Sequence, residues 1–452
     1  MDLPDGGSVA VIGGGPAGSF ASYFLLEMAH RAGLEVSLDI YESKDFSKSG
    51  PAGCNMCGGI ISESLVQLLA TEGINLPEGV VQRGIESYVL HCDGEAVELK
   101  TRVEESRIAA LHRGRGPKDC ADDTLRSADG YLLGLACSKG ARHVPEKVTA
   151  LKYTEDGRVR VKTKEGTESV YDLIIGATGV NAASIKLFED LGIGFTPPET
   201  AKTFICEVFL GRDRVREHLG NSMHVFLLDL PGMEFAAAIP KGDYVTVCML
   251  GDNLESETID RFMTSPEVRS CLPFDWKTEK PSCRCAPKLN MGGAKNYYAD
   301  RVVLIGDCGV SRLYKDGIGA AYRTAKACAV AAVFSGIGKA DFDRFFQKRC
   351  KNIVWDNRLG KLIFGGAVFF RKLRFLRQGM LRTVRKEQAG SGERPMSLVL
   401  WNTFTGSAPY QEIMLRSMMP DFWLTFGWNC FCALLGAGSK SKPVTPPTAA
   451  GE

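Results

Sequence analysis

Three glycine-rich turns, each entered from an apolar strand, carry the residue spacing in this chain that points to chemistry. In the first, Gly13-Gly14-Gly15-Pro16-Ala17-Gly18, the three positions of the G-x-G-x-x-G pattern fall at Gly13, Gly15 and Gly18. The turn follows a strand-like run at residues 8–12 and opens a stretch, residues 16–31, with Phe20, Phe24 and Met28 at helical steps. A second strand at 36–41 then runs into Glu42, with Ser43 beside it. Such a unit is a cradle for a pyrophosphate. Gly13 permits the tight turn, Gly15 removes a Cβ that a phosphate would meet, and Gly18 lets the helix pack close to the strand. The helix start, with Pro16 and Ala17, offers N–H groups and a positive dipole to phosphate oxygens, and Glu42 is suited to accept from a ribose diol.

The second and third turns extend the cradle. Residues 172–179 end a strand in the small-residue turn Gly176-Ala177-Thr178-Gly179, and residues 301–307 do the same at Gly306-Asp307. Gly317, Ile318, Gly319 and Ala320 then open an apolar helix. A nicotinamide dinucleotide needs only the first turn, whereas the three together are what a chain needs to enclose the longer FAD. Asp307 is then expected on the ribityl chain, and the helix from Ile318 points its positive end at charge developing on a reduced flavin.

Glycine accounts for 50 of 452 residues, above an ordinary share of about 7%, and these turns explain part of the excess. With 44% apolar residues the chain has ample core, and alternation of strand and helix predicts an α/β fold with a Rossmann-like parallel sheet. Strand-like segments at 204–210, 224–228, 235–239 and 244–250 lack helices between them, which predicts an inserted antiparallel sheet. A hairpin around the Cys92-Asp93-Gly94 turn is expected to join it. The expected segments are a nucleotide-binding domain at 1–78, 105–185 and 282–345, a substrate domain at 79–104 and 186–281, a mainly helical region at 346–438, and a disordered tail at 439–452.

Taken together, the three turns resemble the para-hydroxybenzoate-hydroxylase type of FAD oxidoreductase, and more closely its geranylgeranyl reductase branch, over about residues 8–345. In that family an aromatic-x-aromatic-x-Phe-Pro-Lys-Gly segment lines the substrate pocket. Residues 235–242 are similar in Phe235, Ile239 and Pro240 and depart at Ala237, where the family has a large aromatic. The family's Cys-Gly-Gly segment is matched by Cys57, Gly58 and Gly59, three residues after Cys54. The resemblance implies that this segment reaches flavin and substrate, and makes Cys57 the candidate proton donor beside a flavin-bound water. Arg113 resembles an arginine near the FAD diphosphate, and Val148 falls where backbone meets adenine. Thr178-Gly179 stands where hydroxylases of the superfamily carry Asp-Gly, which argues against an NAD(P)H-driven aromatic hydroxylase.

The implied reaction is hydride transfer from reduced FAD to carbon–carbon double bonds of an isoprenoid, geranylgeranyl-type lipid, with NAD(P)H or ferredoxin as external electron donor. The alternative is a flavin monooxygenase or halogenase acting on another hydrophobic molecule. Of the halogenase Trp-x-Trp-x-Ile-Pro signature only Ile239-Pro240 remain, since Phe235 and Ala237 replace both tryptophans.

A net charge of +2 predicts no nucleic-acid partner. The balance hides an asymmetry, because from residue 346 onward 16 Lys and Arg face 6 Asp and Glu. Residues 371–386 hold seven basic and no acidic residues, with Leu373, Leu376, Met380 and Val384 at helical spacing. This predicts one amphipathic helix with a cationic face, either an ordinary surface helix packed on a core or, with the Trp423 and Trp428 cluster that follows, an interfacial helix that meets anionic lipid and gives peripheral membrane association. The apolar run at 422–437 is shorter than a spanning helix, which needs about 20 residues. A strand beginning by residue 8 leaves no room for a secretory signal, and fifteen scattered cysteines suit a reducing cytoplasm. The close pairs Cys54/Cys57, Cys283/Cys285 and Cys430/Cys432 lie too far apart for a structural zinc site and the six His are dispersed, so no metal is expected, and pocket lining is the expected role of Cys54 and Cys57 ahead of a redox pair.

Overall fold

The computed structural model describes residues 1–100, 107–252 and 254–435, so the tail expected at 439–452 and the segment break at 104/105 lie outside the described residues. Among these, the turn-bearing strands form one six-stranded sheet in the order Tyr298–Ala299, Val302–Leu304, Leu173–Gly176, Gly7–Ile12, Val36–Tyr41, Arg142–Val144. All neighbours are parallel except the first pair. Parallel strands need crossovers that cover both faces, and their central residues are accordingly apolar without alternation. Val9, Ala10, Val11, Leu173, Ile174 and Ile175 are fully buried.

One face is covered by helices Pro16–Ala32 and Gly317–Phe334, which pack on each other through Phe20, Phe24 and Tyr322, with edge-on rings 5.3–5.5 Å apart. Burial of each such aromatic contributes about 1.5–3 kcal/mol. The opposite face carries the meander Val148–Tyr153, Val159–Thr163, Glu168–Tyr171, whose inward Val148, Leu151, Val159 and Val161 meet Ala10, Ile12 and Ile174.

The inserted sheet has seven strands in the order Cys283–Cys285, Phe204–Phe209, Tyr244–Gly251, Met233–Lys241, Ser222–Phe226, Ser87–Cys92, Glu95–Lys100. It is antiparallel except where Ser222–Phe226 runs parallel to Ser87–Cys92, because the hairpin is added from a distant part of the chain. That hairpin turns at Asp93 (φ 53°) and Gly94 (φ 74°), the two positive φ values that a two-residue turn needs to match strand twist. Strand Cys283–Cys285, expected with the nucleotide-binding segment at 282–345, pairs instead with Phe204–Phe209. Backbone hydrogen bonds from Phe204–Phe209 would otherwise end at an unpaired edge. Likewise Val81–Ile85, expected in the substrate sheet, pairs with Ile108–Leu111 in a small separate sheet with Ile60–Ile61.

Helices Gln347–Lys372, Arg374–Ala389, Pro395–Thr405, Tyr410–Ser417 and Pro420–Leu434 follow. The single cationic helix expected at 371–386 is two helices, broken at Leu373, whose backbone is extended (φ −102°, ψ 107°). Nor is all of its charge free for lipid. Arg371 is buried against the Met233 and Glu234 carbonyls and pairs with the Glu234 carboxylate at 3.1 Å. Arg377 pairs with Asp93 at 2.7 Å and Arg385 with Glu95 at 2.7 Å, so the helix is strapped to the edge hairpin. Met380, Leu381 and Val384 are buried in the protein core.

Candidate functional site

The three glycine turns converge. Gly13 has φ 112°, and a Cβ there would lie 2.5 Å from the Ala177 carbonyl oxygen, so the first and second turns touch backbone to backbone. Gly306 has φ 63° and faces Ala17, whose Cβ an added Cβ would meet at 2.8 Å; this brings the third turn against the start of the first helix. Thr178 hydroxyl bonds to the Gly179 carbonyl at 3.3 Å, and the Cys308 thiol donates to Gly176 oxygen at 3.4 Å, closing the second turn on the third.

Helix Pro16–Ala32 begins after Gly15 with no side-chain cap, leaving its N-terminal N–H groups without a side-chain acceptor. Gly15 opens on space: the nearest atoms to an added Cβ, at 3.7 Å, are the Arg113 guanidinium and the Asn55 amide. Both donors are held by the buried carboxylate of Asp129, which takes Arg113 in a two-point pair and accepts from Asn55. The Asp129 charge raises Arg113 above its ordinary range. Glu42 accepts from Gly14 N–H at 3.0 Å and Lys44 N–H at 2.8 Å, and a depression beside it is lined by Ser43, Lys44, Leu133, His143 and Pro145. Val148 is 5% exposed, its side chain packed against Ile12 and Tyr41.

At the third turn Asp307 faces Gly317, where an added Cβ would lie 3.8 Å from its Oδ1 and 3.8 Å from Ser311 Oγ. Burial raises the Asp307 carboxyl, with Ser311 and the Arg113 charge acting against it. The helix Gly317–Phe334 starts differently from expectation. Asp316, in a left-handed conformation (φ 54°, ψ 37°), folds its carboxylate over the first turn so closely that an added Cβ at Gly319 would lie 2.2 Å from Oδ1. This helix end with Ile318 and Ala320 therefore already faces one anion, which Arg323 (2.7 Å) and Arg312 (3.2 Å) neutralise and to which the Ser62 hydroxyl donates at 2.7 Å.

The Cys54–Gly59 segment spans from the glycine cradle to the inserted sheet. Lys44 ties its near end by donating to the Cys54 carbonyl at 2.7 Å and Asn55 Oδ1 at 3.0 Å. At its far end an added Cβ on Gly58 would lie 2.9 Å from Cys248 Sγ and 3.6 Å from Ile239 Cδ1. On Gly59 (φ 67°) it would lie 2.0 Å from the Leu111 carbonyl and 2.8 Å from Lys241 Nζ. Every cysteine is a free thiol, Cys54 and Cys57 included. Burial pushes the Cys54 thiol up, and Cys57 Sγ accepts from Gly59 N–H at 3.4 Å.

Strand alternation places Phe235, Ala237, Ile239 and Lys241 on one face, toward this segment. Pro240, expected beside them in the pocket, falls on the opposite face with Ala236 and Ala238. Phe235 stacks on Phe364 at 6.2 Å and lies beneath the ammonium of Lys315, 4.7 Å from the ring.

Sequence reasoning missed the charges on this wall. Lys241 is 1% exposed, and its Nζ lies 4.0 Å from Glu207, whose other oxygen accepts from Thr246 at 2.7 Å. His112 Nδ1 lies 4.0 Å from the same carboxylate, and its Nε2 is buried without a partner. Burial raises the Glu207 carboxyl, against the pull of Lys241 and Thr246, and holds His112 well below the ordinary histidine range, hence neutral. Period-two reading from Ile239 would have pointed Lys241 inward, and Glu207 is a lone acid inside an apolar strand.

Lys315 was also missed. Burial pulls it well below the ordinary lysine range, where it lies over Phe235 and Phe404 and donates to the Thr403 carbonyl. The loop that carries it is clasped by the C-terminal helices. Arg312 donates to the Gly406 and Ala408 carbonyls, Asn357 bonds Ser311 O and Leu313 N, and Tyr410 hydroxyl donates to Leu313 O at 2.6 Å. Replacing Arg312 by leucine leaves the buried Asp316 with Arg323 as its one cation beside the Ser62 hydroxyl, and is expected to destabilise by about 3 kcal/mol. Limited proteolysis should then cut within residues 395–420 before the sheets are attacked.

One group of potential metal ligands is brought together among the described residues: His91, His224 and Cys271, with ligand atoms within 4.8 Å. The two rings already satisfy each other, His91 Nε2 to His224 Nδ1 at 2.9 Å, and burial lowers His91 to about 4 and holds His224 well below the ordinary histidine range.

Comparison with solved structures finds the same arrangement of sheets elsewhere. A geranylgeranyl bacteriochlorophyll reductase-like protein of Thermoplasma acidophilum superposes with a TM-score of 0.65 at 13% identity, covering 91% of this chain and 98% of that one. The likeness is one of fold. A flavoprotein/dehydrogenase from Cytophaga hutchinsonii gives 0.59 at 15% identity over 96% and 100% of the two chains. A flavin-dependent brominase gives 0.58 at 15% identity over 83% and 92%. No family model matches the sequence, and no curated protein does. The chain thus has the α/β architecture of these proteins, a Rossmann-type sheet with an inserted antiparallel-type sheet and a helical C-terminal region.

Proposed function

We propose that the chain is an FAD-dependent oxidoreductase that reduces carbon–carbon double bonds of an isoprenoid lipid. The observation that carries this reading is the Cys54–Gly59 segment, which runs from the glycine cradle at Gly15 to an apolar wall at Ile239 and Cys248. The residues present fit FAD. The Cβ-free opening at Gly15, the uncapped helix start, the Arg113 guanidinium and the Asp307 carboxylate supply a phosphate cradle and a polyol acceptor along one line of turns. Gly13, Gly15, Pro16, Ala17, Gly18, Arg113 and the Thr178-Gly179 turn are assigned to the diphosphate half, Glu42, Ser43 and Val148 to the adenosine, and Gly306, Asp307 and residues 317–320 to the flavin half. FAD, once bound and reduced, supplies the hydride.

The chain's own contribution follows from the substrate. An isolated alkene has no carbonyl to polarise, so catalysis rests on holding it, excluding water and placing a proton. Phe235, Ala237 and Ile239 form the holding wall, with the small alanine at 237 where the resembled family carries a large aromatic. Cys57 holds the proton at Sγ for the carbon next to the one that receives hydride. The electron donor, NAD(P)H or ferredoxin, is part of the same proposal.

Purified protein, reduced with dithionite and given a geranylgeranyl lipid, is expected to yield products heavier by two hydrogens per bond. Unchanged lipid with flavin bound and reduced overturns the reading. A flavin monooxygenase or halogenase is the second reading, favoured by the fold shared with a flavin-dependent brominase; NAD(P)H oxidation coupled to oxygen or halide incorporation would select it.

A further inference from the structure

Exposed large apolar side chains concentrate in the C-terminal helices. Helix Pro420–Leu434 buries Phe422, Phe426, Asn429 and Cys430 against helix Arg374–Ala389 and turns Trp423, Leu424, Trp428, Phe431 and Leu434 outward. Leu424 is 71% exposed and Trp428 62%. Positions 423, 424, 428, 431 and 434 share one side of the helix, so this is a continuous apolar face and not scattered exposure. Asp421, in the first turn, is its single acidic residue.

The long helix Gln347–Lys372 meets this one through Phe370 stacked on Phe426, ring centroids 5.6 Å apart. Its outward stripe runs Lys351, Trp355, Arg358, Leu362, Phe369, Lys372, all exposed, at steps of three, four or seven. Its one acid, Asp356, is turned inward to Arg312 at 3.7 Å and Gln411 N–H at 2.9 Å. Aromatics alternating with unopposed cations do not suit a protein–protein core, which is depleted in charge. They suit an anionic bilayer surface, where indole and phenyl rings enter the headgroup boundary and lysine and arginine meet phosphate. No helix among the described residues is long and apolar enough to cross a membrane.

We propose that helix Pro420–Leu434 is an interfacial membrane-docking helix, inserted by its outward apolar face and held to anionic lipid by the basic stripe of helix Gln347–Lys372. The sequence pointed to residues 371–386 for this role, but their apolar side is spent on the core and several of their charges on Asp93, Glu95 and Glu234. This inference does not depend on the reaction proposed above, because docking is measured without substrate or reductant.

The test is co-sedimentation of the full chain with vesicles of phosphatidylcholine alone and with about a third phosphatidylserine. The wild type is expected to bind the anionic vesicles, less so as salt rises. The combined variant Trp423→Gln, Leu424→Gln, Trp428→Gln should weaken partitioning by more than about tenfold with melting temperature unchanged, since every side chain altered is exposed. A Lys351→Glu, Arg358→Glu, Lys372→Glu variant should lose the preference for anionic over neutral vesicles. Failure of the wild type to bind either vesicle, or equal binding of the glutamine variant, overturns the proposal. So does a wild-type dimer that the glutamine variant converts to monomer with no change in vesicle binding, which would assign the face to a second copy of the chain.

Discussion

Gly18→Ala is expected to abolish flavin retention and to destabilise the protein by about 3 kcal/mol or more. The added Cβ would sit 1.9 Å from the Gly13 carbonyl oxygen and 3.0 Å from Val11 Cγ1. The first of these is backbone that cannot step aside, because Gly13 is itself locked against Ala177. Overpacking of cores commonly costs about 1–3 kcal/mol when neighbours are flexible side chains, and a rigid carbonyl puts this case at or above the top of that range. The helix start must then move off the strand, which carries its N–H groups away from Arg113 and the Gly15 opening. The measurements are the melting temperature and the ratio of flavin to protein absorbance after purification. Gly157→Ala, in the meander away from the glycine turns, is the matched control: its φ is 77° but nothing lies within 4 Å of an added Cβ. It should cost only the left-handed penalty, about 1–2 kcal/mol, and keep flavin. Equal flavin content in the two variants would refute the cradle at the first turn.

Lys241→Met is expected to be the most damaging substitution on the inserted sheet. Methionine matches the stem of the side chain but removes the ammonium 4.0 Å from Glu207, leaving a buried carboxylate opposed only by Thr246 and a neutral His112. Stranding one partner of a buried pair costs about 3–5 kcal/mol, whereas removing both is far milder. The double variant Lys241→Met, Glu207→Gln should therefore recover most of the loss in a chemical melt. The pH dependence has a definite sign. Burial raises the Glu207 carboxyl in the folded state, and Lys241 is what pulls it back down. Without the lysine, the folded state binds a proton more tightly than the unfolded chain, so stability falls as pH climbs from the unfolded carboxyl range through the raised value. The gap between wild type and Lys241→Met should narrow as pH is lowered and widen toward neutrality. A gap independent of pH would mean that Lys241 is held for packing alone.

Much of the parallel-sheet half was readable in one dimension because its determinants are local. A strand that runs into Gly13, a helix that starts at Pro16 and a second strand that stops at Glu42 are all set by nearest neighbours, and the backbone geometry of such turns admits little besides glycine. The hairpin at Cys92-Asp93-Gly94 was readable for the same reason. Pro240 was assigned to the pocket by its place in a motif, but period-two alternation decides which side of a strand a residue occupies, and it lies opposite Ile239. The edge strand Cys283–Cys285 is illegible in the sequence because three residues carry no pattern, and only the partner Phe204–Phe209 gives them a register.

The charge cluster on the inserted sheet was legible only in fragments, since alternation from Ile239 turns Lys241 inward and Glu207 is a lone acid in an apolar strand. Lys241, Glu207 and His112 are drawn from three separate strands or their ends, and nothing in the spacing of residues 112, 207 and 241 signals that they share one buried carboxylate. The basic C-terminal third shows the same division in its plainest form. Composition alone established that the surplus of positive charge lies there, and helical spacing established amphipathic helices. Which cations face solvent was decided by tertiary ion pairs to Asp93, Glu95 and Glu234, and which apolar face stays open by the seating of Phe422 and Phe426. Local sequence determines turns, caps and periodicity, because those depend on backbone sterics over a few residues. Burial and charge pairing depend on what lies across the gap, and only the folded chain supplies that.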